Sequence, residues 1–373
     1  MKSAPCLAIA SILFVLLCSI RPALCPAQEA DDLPVAASVR AAVVDSTIRF
    51  VRESYFDSLL GARLSDAVRR ARDAKRFERC VTASALCESL TATLRRVVPD
   101  KHLKVDYTVR PRPMEPATRA PSVEETARQD DQSRRRNFGF ERVERLPGNV
   151  GYLNLRRFER PWLAGETAAA AMAFLANTDA VIIDLRGNGG GYGDMANFLA
   201  TYFFDGEPVH LRDVHDRPSG SMLQAWTMPY APGPRFTGKE LYLLTGKRTF
   251  SAAEAFAYGL KNQGRAKIVG VTTRGGAHPT SAMQVNEHFA VFVPHAHVVD
   301  AVSGDDWEGK GVTPDVETEE EKALAVAHLA ALRGIQERRR AGGGGTGADA
   351  TPDPDLTSAI EEATRAVETP PAK

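Results

Sequence analysis

The stretch Ala180-Val181-Ile182-Ile183-Asp184-Leu185-Arg186-Gly187-Asn188-Gly189-Gly190-Gly191 decides the fold. Its near-continuous apolar run reads as a strand buried on both faces, as in a parallel sheet. Glycines directly after such a strand let backbone N–H groups approach a ligand closely. Working outward, Val150 to Leu155 reads as a second strand, followed by an alanine-rich helix from Gly165 to Leu175. A helix from Asp194 to Phe203 follows the glycines, then a strand at Leu241-Tyr242-Leu243-Leu244 and a helix from Ala252 to Gln263. Strands at Ala266–Val271 and Phe289–Val293 and a closing helix from Glu319 to Arg339 complete the pattern. Strands alternating with helices of this length argue for an α/β fold, a parallel sheet covered on both sides.

The junction Thr249-Phe250-Ser251-Ala252-Ala253-Glu254 puts a serine where a strand gives way to a helix. Free N–H groups and the partial positive charge of the helix N-terminus favour an anion there. A hydrolytic nucleophile would sit at such a point. Ser251 with Glu254 also spells a capping box, a purely structural motif. The glycine loop has its own alternatives. A phosphate cradle is disfavoured, because the spacing fits neither G-x-G-x-x-G nor a loop ending in Gly-Lys-Ser/Thr. An oxyanion hole and a plain turn both remain open.

Two further segments carry titratable groups. In Val98-Pro99-Asp100-Lys101-His102-Leu103 a histidine stands at the exit from a helical region. In Trp307-Glu308-Gly309-Lys310-Gly311-Val312-Thr313-Pro314-Asp315 a glutamate lies in a loop after the sheet. Taken alone, each is more often a surface group than a catalytic one. His295-x-His297 hints at a metal, but no cysteine or carboxylate accompanies it at ligand spacing. No metal and no cofactor is expected.

Residues 33–109 read as a helical unit. Val43, Ile48, Val51 and Tyr55 fit one amphipathic face, Leu64, Ala67, Val68 and Ala71 a second, and Leu86, Leu90, Leu94 and Val97 a third. Residues 110–137, rich in Pro and charge, read as a polar linker or excursion, and 341–373 as a flexible tail in which Leu356 to Val367 could form a short helix with little sign of packing. Residues 1–27 have the three parts of a secretory signal: Lys2, the apolar run Leu7 to Ile20, and small residues before Gln28. The run is short for a membrane span, so an exported chain without a stable anchor is expected. With the signal gone, Cys80 and Cys87 remain, and export would permit a disulfide. On one helix they would stand about 10 Å apart, too far to bridge, so a bridge needs a turn at Cys80. Lys plus Arg and Asp plus Glu both total 47, which gives no footprint for nucleic acid.

Together these segments resemble the C-terminal processing (tail-specific) serine peptidase family, and its branch sharing a module with interphotoreceptor retinoid-binding protein most closely. The likeness covers roughly residues 35–335. It rests on Asp100-Lys101-His102-Leu103, Leu146-Pro147-Gly148-Asn149-Val150-Gly151-Tyr152 and the Asp184–Gly191 loop. It continues through Thr249–Glu254, Gly275-Gly276-Ala277-His278-Pro279 and Trp307–Asp315. The resemblance implies a crotonase-like (ClpP-type) spiral core over residues 138–340 with a helical N-terminal domain. Many members insert a PDZ domain, and the interval from His102 to Phe138 is too short and polar for one.

Some members activate serine with a lysine 25 residues later. That position is Gly276 here, and Arg274 cannot replace the lysine, because guanidinium stays protonated. The other design implies His102 as general base, Ser251 as nucleophile and Glu308 as the residue orienting the imidazole. The oxyanion donors implied are the N–H of Ala252 and one from Gly191, with Gly190 as its neighbour. His278 would line the substrate cleft or lend structure, and Gly276 would lie at the cleft. The activity implied is hydrolysis of unfolded or extended polypeptide. The contrary expectation is a binding module for apolar ligands, since fold does not fix function.

Overall fold

The computed structural model describes residues 32–112, 122–342 and 353–369. The expected signal sequence lies outside these residues. Six strands form the central sheet, in the order Val316–Glu317, Lys267–Gly270, Glu240–Thr245, Ala180–Asp184, Val150–Leu155 and Phe140–Leu146. Every neighbouring pair is parallel except the last, which is an antiparallel hairpin.

Period-two alternation sorts the strand side chains between two cores. Leu153, Val181, Ile183, Leu243 and Ile268 face the helices Pro161–Leu175, Gly193–Thr201 and Ala252–Asn262. Tyr152, Ile182, Tyr242 and Val269 face the other way, onto Ala323–Gly342. Both sheet faces are covered, as the apolar run at 180–185 requires.

A third core sits among the N-terminal helices Ala37–Ser54, Ser58–Asp73 and Ala83–Arg95. Here the structure corrects the sequence reading. Phe289–Pro294 does not join the parallel sheet. It pairs antiparallel with Lys104–Tyr107 on one side and Thr280–Gln284 on the other. Phe289, Val291 and Val293 point into the N-terminal core, so alternation rather than chain position sets where this strand goes. A further antiparallel sheet joins Ala296–Asp300, His210–Asp216 and Ser221–Trp226.

Three other segments add detail to the sequence reading. Within the polar excursion, Val123–Arg135 is a helix closed by a capping box at Ser122 and Glu125, and Arg160 pairs with its Asp130. Within the expected tail, Pro354–Glu368 is a helix that buries Leu356, Ala359 and Ala363 in the core under Ala323–Gly342. Its apolar residues recur at helical spacing, which outweighs the polar composition of the segment. Cys80 and Cys87 are free thiols, both packed in the N-terminal core, and burial pushes the Cys87 thiol up to about 12.

Candidate active site

The central strands Ala180–Asp184 and Glu240–Thr245 deliver the two loops of the site. Asp184 is locked beneath them by Arg186, whose Nη2 lies 2.6 Å from Oδ2, and by the Tyr152 hydroxyl at 2.8 Å. The loops are then tied to each other. Thr249 Oγ1 donates to the Leu185 carbonyl at 2.8 Å, and the Phe250 N–H donates to the Asn188 carbonyl at 3.1 Å.

Ser251 follows with φ 55° and ψ −121°, a backbone conformation that non-glycine residues rarely adopt. Strain of this kind, of order 1–3 kcal/mol, persists only where the surroundings enforce it. Glu254 supplies the enforcement. Fully buried, it accepts hydrogen bonds from the N–H groups of Ser251 (2.8 Å), Gly275 (2.6 Å) and Gly276 (3.0 Å), and from Thr273 Oγ1 (2.5 Å). Burial pushes its pKa up, against the pull of those donors. The capping-box reading thus saw only one of four contacts. Glu254 ties the serine turn to the 273–276 loop.

Gly190 and Gly191 adopt φ +98° and +134°. A Cβ on Gly190 would lie 2.9 Å from Ser251 Cβ, and one on Gly191 only 2.0 Å from the Phe158 carbonyl oxygen. Only glycine fits at either place. The Gly190 N–H is occupied, donating to Asn188 Oδ1 at 2.8 Å. Among the described residues, the N–H groups of Gly191 and Ala252 have no hydrogen-bond acceptor, and both residues border the same cavity beside Ser251. Of the two glycines named from sequence, Gly191 is therefore the one with a free donor.

His102 stacks on Phe250, ring centroids 4.4 Å apart, with Arg274 over the same ring at 4.7 Å. A Cβ on Gly276 would strike the Phe250 ring at 2.2 Å and His102 Cε1 at 2.7 Å. Gly276 does not line the cleft. It leaves room for the imidazole beside the serine turn. Burial pulls the His102 pKa down to about 4, with the charge of Asp100 opposing. Its Nδ1 is buried without a hydrogen-bond partner, and no hydrogen bond joins its ring to Ser251 Oγ among the described residues.

The carboxylate nearest His102 is Asp100, not Glu308. Asp100 Oδ1 lies 4.0 Å from His102 Nδ1 and accepts the His102 backbone N–H at 2.9 Å. Its Oδ2 takes a 2.8 Å hydrogen bond from His278 Nδ1, with the Tyr55 hydroxyl at 3.3 Å. Burial alone would raise the Asp100 pKa, but the bond and charge of His278 hold it below the usual carboxylate range. Glu308 Oε2 accepts the Ala277 N–H at 2.6 Å and lies 3.5 Å from His278 Nδ1. Its Oε1 is buried without a partner, and burial with the nearby Asp100 charge pushes its pKa up to about 7.

The structure thus gathers the four segments but rearranges two roles. Glu308 touches His278 rather than His102, with the Ala277 N–H holding its carboxylate. His278 is buried in this network, not at the cleft. Asp100, quoted in sequence beside His102 without a role, is the group that reasoning missed. Its place two residues before His102, where an Asp side chain folds back onto the backbone, was the available signal.

Asp100, His278 and Glu308 are also the described residues whose ligand atoms gather within 4.8 Å, but His278 already spends its Nδ1 on Asp100. His295 Nδ1 pairs with Asp216 at 2.7 Å, and His297 Nε2 lies 3.4 Å from Asp306, so the two histidines serve different carboxylates.

Residues 149–318, which hold Ser251, the glycine loop and Glu308, match the family model described as peptidase family S41. The match covers this span and not the rest of the chain. His102 and Asp100 lie before it, on the N-terminal unit. Among curated proteins, the chain is 23% identical over 180 residues to a "Probable CtpA-like serine protease" of Staphylococcus saprophyticus, covering 46% of this chain and 34% of that one. It is 26% identical over 183 residues to "Carboxyl-terminal-processing peptidase 2, chloroplastic" of Arabidopsis thaliana, covering 46% of this chain and 33% of that one. The chain thus spans about a third of the length of these curated relatives. Among solved structures, a lipoprotein from Streptococcus agalactiae superposes with a TM-score of 0.52 at 15% identity, covering 80% of this chain and 96% of the other, which establishes a shared fold.

Proposed function

We propose that the chain is an exported serine endopeptidase that hydrolyses unfolded or extended polypeptide through an acyl-enzyme, without a cofactor. The observation that carries this reading is the Ser251 turn. A strained serine opens a helix, with two unspent backbone N–H groups beside it and a buried imidazole stacked on the preceding residue. In the proposed reaction Ser251 Oγ attacks the scissile carbonyl while His102 takes its proton. The Gly191 and Ala252 N–H groups receive the developing oxyanion. His102 then returns the proton to the leaving amine, and water, activated by the same imidazole, hydrolyses the ester.

Asp100 serves as the carboxylate next to His102, and Glu308 backs it through His278. The unspent atoms His102 Nδ1 and Glu308 Oε1 are the two that a direct His102–Glu308 bond would use. Export rests on residues 1–27. Among the described residues, no helix is long and apolar enough to cross a membrane.

Labelling with a fluorophosphonate tests the reading. The wild type should react, and both Ser251→Ala and His102→Ala should abolish the reaction while remaining folded. A folded wild type that neither labels nor cleaves peptides rejects the peptidase reading in favour of a binding module.

A further inference from the structure

The cavity beside Ser251 has a volume of about 300 Å³ and is bordered by Gly191, Ser251 and Ala252. Ala255, Val214 and Val298 give it an apolar wall. Into that wall the strand His210–Asp216 sets Arg212, only 8% exposed. A buried guanidinium is ordinarily neutralised by a carboxylate, because an uncompensated buried charge is costly. Arg212 is not so paired. Its Nη2 donates to the neutral side chain of Asn197 at 2.8 Å, and among the described residues no carboxylate forms an ion pair with it.

The two acidic residues that feel its charge are otherwise placed. Asp300, its register partner on Ala296–Asp300, spends Oδ1 on Asn262 Nδ2 and on the N–H groups of Val302 and Ser303. Asp194 borders the same cavity but is exposed, where water screens its charge. Arg212 remains protonated at neutral pH, although burial pulls its pKa down to about 10. A guanidinium carries five N–H donors in a planar fork that matches a carboxylate.

We infer that this cavity is a specificity pocket in which Arg212 receives a carboxylate of the substrate, next to the bond presented to Ser251. The inference rests on the peptidase reading for its placement beside a scissile bond. The carboxylate comes either from a glutamate or aspartate side chain or from a chain terminus, and the apolar wall suits the methylene stem of a glutamate. Gly193 contributes by omission, since a Cβ there would press to 3.2 Å on Arg212 Nη2.

The test uses a series of N-acetylated, C-amidated peptides in which one residue near the scissile bond is Glu, Gln or Lys. A fourth peptide carries Gln and a free C-terminus. Binding is measured on the Ser251→Ala protein and kcat/KM on the wild type. The Glu peptide should bind about ten-fold or more tighter than the Gln peptide, the scale of a charge-assisted pair. Lys should bind weakest. The Glu-to-Gln ratio should collapse towards one in Arg212→Gln on the Ser251→Ala background. If that variant does not fold, the ratio in the Arg212-containing protein decides alone, and it should shrink as salt is raised. Preference only for the free C-terminus identifies the terminus as the source. Equal binding of Glu, Gln and free-terminus peptides overturns the inference. Peptide cleavage without acidic preference overturns the pocket and leaves the peptidase reading standing. Tighter binding of the acidic peptide with no cleavage does the reverse.

Discussion

Asp100 and His278, 178 positions apart in the chain, meet through a 2.8 Å hydrogen bond between two almost fully buried side chains. The bond joins the N-terminal helical unit to the 273–279 loop, and it stands directly behind the imidazole of His102. Removing one partner strands the other as a buried charge, at a cost of about 3–5 kcal/mol. Asp100→Ala and His278→Ala should each lower the unfolding free energy, read from urea titrations, by that amount. The double variant should lose less than the sum of the two, as a double-mutant cycle will show.

Stability should fall as pH rises through neutrality. The fold raises the His278 pKa, so its contribution is complete below the ordinary histidine value of about 6.5 and is lost as pH climbs through the folded value. It also raises Glu308 to about 7, so folding favours the protonated carboxyl and weakens as pH climbs from about 4.3 to 7. Asp100 has the opposite sign, and its contribution is lost only in acid, below about 3.9. His102 opposes this at lower pH, because its lowered pKa adds stability as pH climbs from about 4 to 6.5, so urea titrations should show the decline above about pH 6.5. At pH 8 Glu308→Gln should be more stable than wild type. A Gln variant that is less stable at pH 8 would contradict the raised value.

The acid limb of kcat/KM should lie far below an ordinary histidine. Burial holds the His102 pKa down to about 4, so the imidazole remains a neutral base at pH values where an exposed one would be charged. A pH–rate profile on an amide substrate reads this directly. An inflection at about 6.5 would show that His102 is solvated in the working enzyme.

Gly276→Ala should disable the site without unfolding the chain. The added methyl would overlap the Phe250 ring and His102 Cε1, and displacing the imidazole by about 1 Å suffices for a loss of roughly 100-fold. Circular dichroism should be unchanged while kcat/KM falls.

Ser251→Gly should raise stability while abolishing activity. The serine holds φ 55° with ψ −121°, and glycine adopts such angles without the steric cost, which is worth of order 1 kcal/mol. A rise in Tm together with loss of fluorophosphonate labelling is the expected result.

Much of this arrangement is legible in the sequence because it follows from local pattern. The apolar runs at 150–155, 180–185 and 241–244 gave their strands, and the glycines at 190 and 191 and the serine at 251 occupy the junctions where those strands end. What escaped reading is what long-range packing decides. Nothing local tells Phe289–Pro294 to leave the parallel sheet for the N-terminal helices. The same holds for Glu308, whose partner depends on which backbone N–H the 276–278 loop turns towards it. Asp100 sat beside a histidine already under scrutiny, and its role was hidden because Pro99-Asp100 also makes an ordinary helix stop. The helix around Leu356, Ala359 and Ala363 is legible from its spacing, but its packing against Ala323–Gly342 is not, because the surroundings are polar and rich in Pro and Gly.

The strand Phe289–Pro294 also orders events during synthesis. Leu103 and Val105, just after His102, share their core with Val291 and Val293, encoded nearly two hundred residues later. A nascent chain therefore carries Ser251 out of the ribosome before the half-site holding His102 can set. Such distant pairing is slow to form, because a long loop must close first. Ser251 and His102 are thus brought into register only once the strand Phe289–Pro294 is in place.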